Sequence, residues 1–160
     1  MSVTMLAMLR GFRIPDGIFC HYPVLTIDPL KFMPSHLLSL DEELLNPAFM
    51  TFCFSCFTRK GGNADRNCIM SPIIAPNAML RRLPLCKIMV AEVDALRDHA
   101  FEMAIRILRL GGRCKVIMMK DFIHGFNSMD TNIVGIAEFR RATNHTIEHF
   151  RTLFNHIKWI

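Results

Sequence analysis

The carboxy-terminal half of the chain alternates between nearly unbroken apolar runs and stretches with helical spacing. "LCKIMVAEVD" (85–94) is too apolar for a solvated edge and predicts a strand buried on both faces. "LRDHAFEMAIRILRLGG" (96–112) follows as a helix, with Leu96, Phe101, Ala104, Ile105 and Leu108 read as its apolar face. Asp98 falls in its first turn, Arg106 and Arg109 in its last, and Gly111–Gly112 end it. "RCKVIMMKD" (113–121) predicts a second buried strand and "FIHGFNSM" (122–129) a loop. Residues 131–158 read as a long helix with Ile136, Phe139, Ile147, Phe150, Phe154 and Ile157 on one stripe.

The amino-terminal half is less regular. Residues 1–9 look like the end of a helix stopped by Gly11, and Pro15–Gly17 is turn chemistry. "GIFCHYP" (17–23) reads as a short apolar strand ended by Pro23, and residues 24–35 as irregular. Ser39 with Glu42 three residues on has the form of a capping box and predicts a short helix over "SLDEELL". Pro47 starts another helix through "AFMTFCFSCF", the polar glycine-bearing segment 59–67 is the linker-like stretch, and "SPIIAPNAMLRRLP" (71–84) is a loop with one helical turn. Strand, helix, strand, loop, helix with buried strands predicts the α/β class, parallel strands covered by helices. The chain divides by pattern into 1–58 (helix, strand, helical insertion), 59–69 (loop) and 70–160 (strand, helix, strand, helix).

Composition narrows the function classes. The 160 residues are 51% hydrophobic, with 13 Phe and 12 Met, which suits one domain with a real core and excludes a disordered tail. The net charge of +5 is scattered, with pairs at Arg81–Arg82 and Arg140–Arg141 and no basic stripe or reading motif, so no nucleic-acid partner is expected. The six cysteines sit in apolar segments and read as buried free thiols of a reducing compartment. Cys53 and Cys56 have metal or redox spacing but no second ligand pair, which favours core packing; neither metal nor cofactor is expected. The longest apolar run is about half a membrane span, and the first residues lack a signal-peptide pattern, so the chain reads as soluble and cytoplasmic.

In a parallel sheet, reactive groups gather where strands end and loops converge. Asp94 ends one predicted strand and His124 lies just beyond the next, so adjacent strands would bring a carboxylate to an imidazole. That pairing fixes the imidazole tautomer and stabilises the imidazolium, as a general base requires.

"VDALRDHA" followed by "GGRCKVIMMKDFIHGF" resembles the acid and base segments of the hormone-sensitive lipase family of α/β-hydrolases, with Asp-x-Leu-x-Asp and then His-Gly-Phe in order. The likeness runs back through "MSPIIAPNAMLRRLP", "PSHLLSLDEELLNP" and "RIPDGIFCHYPVL", and so covers about residues 2–130. It implies the carboxy-terminal part of an α/β-hydrolase fold, Asp94 as triad acid, His124 as general base and Phe126 as a pocket wall. Asp98, the motif's second aspartate, is the alternative acid, with helix-start capping as its plainer role. It also implies an ester hydrolase or lipase acting on acylglycerols or related lipid esters. The family's Gly-x-Ser-x-Gly nucleophile turn and its His-Gly-Gly oxyanion segment are not in this sequence, whose serines are Ser2, Ser35, Ser39, Ser55, Ser71 and Ser128. The chain is therefore expected to be a truncated hydrolase, inactive alone. Its first strand should present an open edge to a partner chain, and its last helix could touch a lipid or lipid-droplet surface. A non-enzymatic interaction module is the competing reading.

Overall fold

The computed structural model describes residues 1–160 apart from 29, 43, 59–62, 130–136 and 158–160. In order, the elements are α1 (Ser2–Leu9), β1 (Gly17–His21), α2 (Pro34–Leu38), α3 (Pro47–Phe57), α4 (Asn77–Leu80), β2 (Leu85–Val93), α5 (Arg97–Arg109), β3 (Cys114–Ile123) and α6 (Ala137–Ile157), with short 3-10 turns at Pro72–Ile74 and Phe126–Met129. The three strands form one parallel sheet in the order β1-β2-β3.

Strand β2 is central, and alternate side chains feed two cores. Cys86, Ile88 and Val90 meet Met5 and Met8 of α1 and Ala100, Met103, Ala104 and Ile107 of α5. Met89 and Ala91 face the other way, onto Phe126 and Ala142 of α6, with Phe19, Phe122 and Phe139 around them. Burying Ile88 or Met89 completely contributes roughly 2 kcal/mol each. Lys87, on the α6 side, is spanned rather than repelled: its ammonium donates to the His149 carbonyl (2.9 Å) and the Thr152 hydroxyl (2.6 Å).

Four expectations are corrected. Strand β3 is not buried on both faces: Lys115, Lys120 and Asp121 are exposed, and Met118 is 49% exposed, because no further strand pairs beyond it among the described residues. The buried side of α5 is His99, Ala100, Met103, Ala104 and Ile107, whereas Ile105 and Leu108 are half exposed. The small alanines that let α5 approach β2 hid the true stripe among larger apolar neighbours. Likewise α6 buries Ala142 and Leu153 and leaves Ile147, Phe150 and Phe154 about half exposed; Ile136 lies outside the described residues. Finally, the capping box at Ser39 does not form. The Ser39 hydroxyl instead donates to the Ser35 carbonyl (2.8 Å) at the end of α2, while Glu42 accepts from the Leu45 amide. Helix α3 starts at Pro47 as expected, with the Asn46 side chain accepting from the Phe49 amide (2.9 Å).

The feature that sets the site is a register shift. Strand β3 pairs with β2 evenly up to Ala91↔Met119, and then Val93 stands opposite Ile123. Two extra residues of β3 are looped out. Asp121, at φ +62°, takes the left-handed conformation there, and its amide donates to the Glu92 carboxylate (2.9 Å). Moving the register by two residues keeps every side chain on its own face and brings the next positions, 94 and 124, side by side.

Candidate active site

Asp94 is the first residue after β2 and His124 the first after β3. The Asp94 side chain is 1% exposed, and one oxygen accepts from the Leu96 amide (2.8 Å), which locks the carboxylate in a local turn. Its other oxygen lies 3.0 Å from His124 Nδ1. A carboxylate only accepts, so Nδ1 carries the hydrogen, and in the neutral ring the lone pair is on Nε2. His124 is 22% exposed, a ring held from behind and open in front. Gly125 follows at φ +77° with no atom within 4 Å of a Cβ there, so glycine is required by the turn's backbone rather than by crowding.

Asp98 is occupied elsewhere. Its carboxylate accepts from the Ser35 amide (2.8 Å) and from Arg97 Nε (3.0 Å), tying α2 to the start of α5. Phe126 has no exposed surface: its ring packs edge-on against Tyr22 and near Phe122, inside the core under the histidine turn and not on an open wall.

Four neighbours carried no sequence signal. The Tyr22 ring meets the His124 ring edge-to-face with centroids 4.8 Å apart. Asn127 contacts the His21 ring (Nδ2 to Nδ1, 2.9 Å) and accepts from the Thr146 hydroxyl (3.2 Å), pinning the histidine turn to β1 and α6. Burial lowers the His21 pKa, so that ring stays neutral and can accept from the Asn127 amide. These residues belong to no compact motif, and the fold alone assembles them.

Cys86 and Cys114 lie on paired strand positions facing α5, where burial pushes their pKa to about 12 and about 11 and raises that of Cys20; all three stay protonated near neutral pH. Cys56 is exposed and Cys53 partly so, correcting the core-packing reading, and among the described residues no group of three or more His, Cys, Asp or Glu converges on a metal position. The hydroxyls of Ser35, Ser39 and Ser55 donate to backbone carbonyls, and that of Ser71 accepts from the Ile27 amide. Among the described residues no helix is long and apolar enough to cross a membrane.

A sequence model of the α/β-hydrolase fold matches residues 1–128. The chain belongs to the α/β-hydrolase fold family. Within that family its relatives include hormone-sensitive lipases: the mouse protein is 30% identical over 88 residues, or 55% of this chain and 11% of the lipase, and the human protein is 30% identical over 86 residues. Carboxyl esterase 2 of the fungus Tuber melanosporum superposes with a TM-score of 0.80 at 27% identity, covering 91% of this chain and 47% of the esterase. Brefeldin A esterase, a bacterial homologue of human hormone-sensitive lipase, shares the fold with a TM-score of 0.78 at 24% identity, covering 93% of this chain and 42% of that one. The chain thus spans about a tenth of the mouse lipase and under half of the esterases.

Proposed function

We propose that these residues form the acid–base half of a serine ester hydrolase, with lipid esters such as acylglycerols as substrates. The observation that carries this reading is the 3.0 Å contact between a buried Asp94 and a part-exposed His124, in a family that includes esterases and lipases. Asp94 holds the ring and stabilises the charge it acquires. Nε2 of His124 takes the proton from an attacking hydroxyl and returns it to the leaving alcohol. No Gly-x-Ser-x-Gly turn lies within the 160 residues, so on this reading the chain alone does not turn over esters.

The open edge of β1 also supports an interaction role, since among the described residues its backbone pairs with β2 alone and half-exposed Phe150 stacks on its Phe19. A strand from a partner chain would satisfy that edge and complete the hydrolase, so both readings describe one assembly. Along α6, Ile147, Phe150 and Phe154 lie beside Arg140 and Arg151, a surface suited to peripheral contact with anionic lipid at a droplet or cytoplasmic membrane face.

The test is release of nitrophenol from a short-chain nitrophenyl ester by the purified chain, beside His124→Ala. Equal, background rates are expected. Hydrolysis that disappears in His124→Ala would show a nucleophile within these residues and overturn the reading.

A further inference from the structure

Tyr22 combines two features. Its backbone sits at φ +32°, in a region that bulky residues avoid, and it precedes Pro23, whose ring restricts it further. Its ring touches the general base. The conformation is held by what surrounds it: the Tyr22 amide donates to the Met89 carbonyl (2.7 Å), so the residue stays hooked to β2 while the chain turns away from the sheet. The turn sends the ring toward the ends of β2 and β3, where it meets His124 at 4.8 Å and 60° and Phe126 at 5.3 Å and 75°. Strain at a non-glycine residue persists only where neighbouring contacts over-determine it, and the contacts here are the imidazole and the aromatic ring beneath it.

We infer that Tyr22 is a positioning residue for His124: its strained backbone sets an aromatic ring against the imidazole and holds the orientation in which Nδ1 faces Asp94 and Nε2 faces outward. The inference rests on the Asp94–His124 reading above. Asp94 alone fixes one atom of the ring and leaves it free to swing about that bond; the Tyr22 ring blocks the swing from the side. An edge-to-face aromatic pair has the directionality this needs. The contacts to His124 and Phe126 are made by the ring, so the ring is what matters, and phenylalanine should replace it.

The experiment reads the histidine directly. The 160-residue chain, labelled with 15N, is studied above neutral pH by side-chain 15N–1H correlation in the wild type, Tyr22→Phe, Tyr22→Leu, Tyr22→Met and Asp94→Asn. The wild type and Tyr22→Phe should show His124 protonated at Nδ1. Tyr22→Leu and Tyr22→Met should shift the tautomer balance toward Nε2–H by about fivefold, as loss of one aromatic contact would allow. Backbone amide spectra should stay native, and two aliphatic variants guard against one failing to fold. A role in packing alone would lower stability without moving the tautomer. If both aliphatic variants keep the wild-type tautomer, the inference about Tyr22 is wrong. If the wild type itself lacks Nδ1–H, or Asp94→Asn leaves it unchanged, it is the Asp94–His124 reading that fails.

Discussion

At the scale of single residues, Asp94 and Asp98 show how burial and partners divide labour between like groups. Asp94 spends one oxygen on a turn and the other on His124, whereas Asp98 joins α2 to α5. Asp98→Asn should therefore cost about 1–2 kcal/mol of stability in urea unfolding, from a weakened charge-assisted bond to Ser35, and leave the His124 ring untouched. His99 supplies a pH dependence. It is 2% exposed, its Nε2–H donates to the Lys31 carbonyl (3.0 Å), and its Nδ1 has no partner among the described residues. Burial, with His36 adding a like-charge effect, lowers its pKa to about 4. The unfolded chain takes up this proton near pH 6.5, before the folded one does. Stability from the neutral ring is thus complete above that pH, is lost as pH falls toward 4, and changes no further below. His99→Gln should flatten that part of the urea-midpoint profile; a profile as steep as the wild type's would contradict the assignment.

At the scale of elements, the Asp94–His124 pair was legible because both residues belong to short ordered motifs at the ends of apolar strands. The adjacency of β2 and β3 followed from the strand–helix–strand pattern. The bulge that aligns the pair was not legible, since nothing in "VIMMKDFI" distinguishes a straight strand from one with two residues looped out. Side-chain stripes on α5 and α6 were misread in part: Ala100, Met103, Ile107, Ala142 and Leu153 are buried, while the larger Ile105, Leu108, Ile147, Phe150 and Phe154 are about half exposed. The bulge makes its own prediction. Asp121 holds φ +62° without being glycine, so Asp121→Gly should be neutral or stabilising, whereas the β-branched Asp121→Val should destabilise by about 1–2 kcal/mol. Thermal unfolding of the two variants, side by side, checks the sign. Arg106 braces α5 in a similar manner, its guanidinium donating to the carbonyls of Ile73 and Ala75 and to Asn77. Arg106→Met should leave those carbonyls poorly satisfied and cost about 2–3 kcal/mol, measured by urea denaturation.

At the scale of the whole molecule, helices cover both faces of the central β2, and among the described residues the outer strands β1 and β3 each pair on one side only. Phe150 stacks on Phe19 with centroids 6.3 Å apart yet remains 54% exposed, so apolar surface continues to the free edge. Unpaired strand backbone beside apolar side chains favours association. Sedimentation should show concentration-dependent oligomers, reduced by Phe150→Lys with Phe154→Lys. A chain that stays monomeric at every concentration would contradict an exposed docking edge. The same edge lies beside the site, since Tyr22 directly follows β1 and touches His124, so whatever pairs with β1 also arrives near the imidazole. The most direct measurement is kcat/KM for a nitrophenyl ester after a segment carrying a Gly-x-Ser-x-Gly turn is joined ahead of Met1, in that chain and in its Asp94→Asn and His124→Ala forms. The acid–base account predicts His124-dependent turnover that each substitution lowers by about a thousandfold or more. Turnover that survives both substitutions would contradict it.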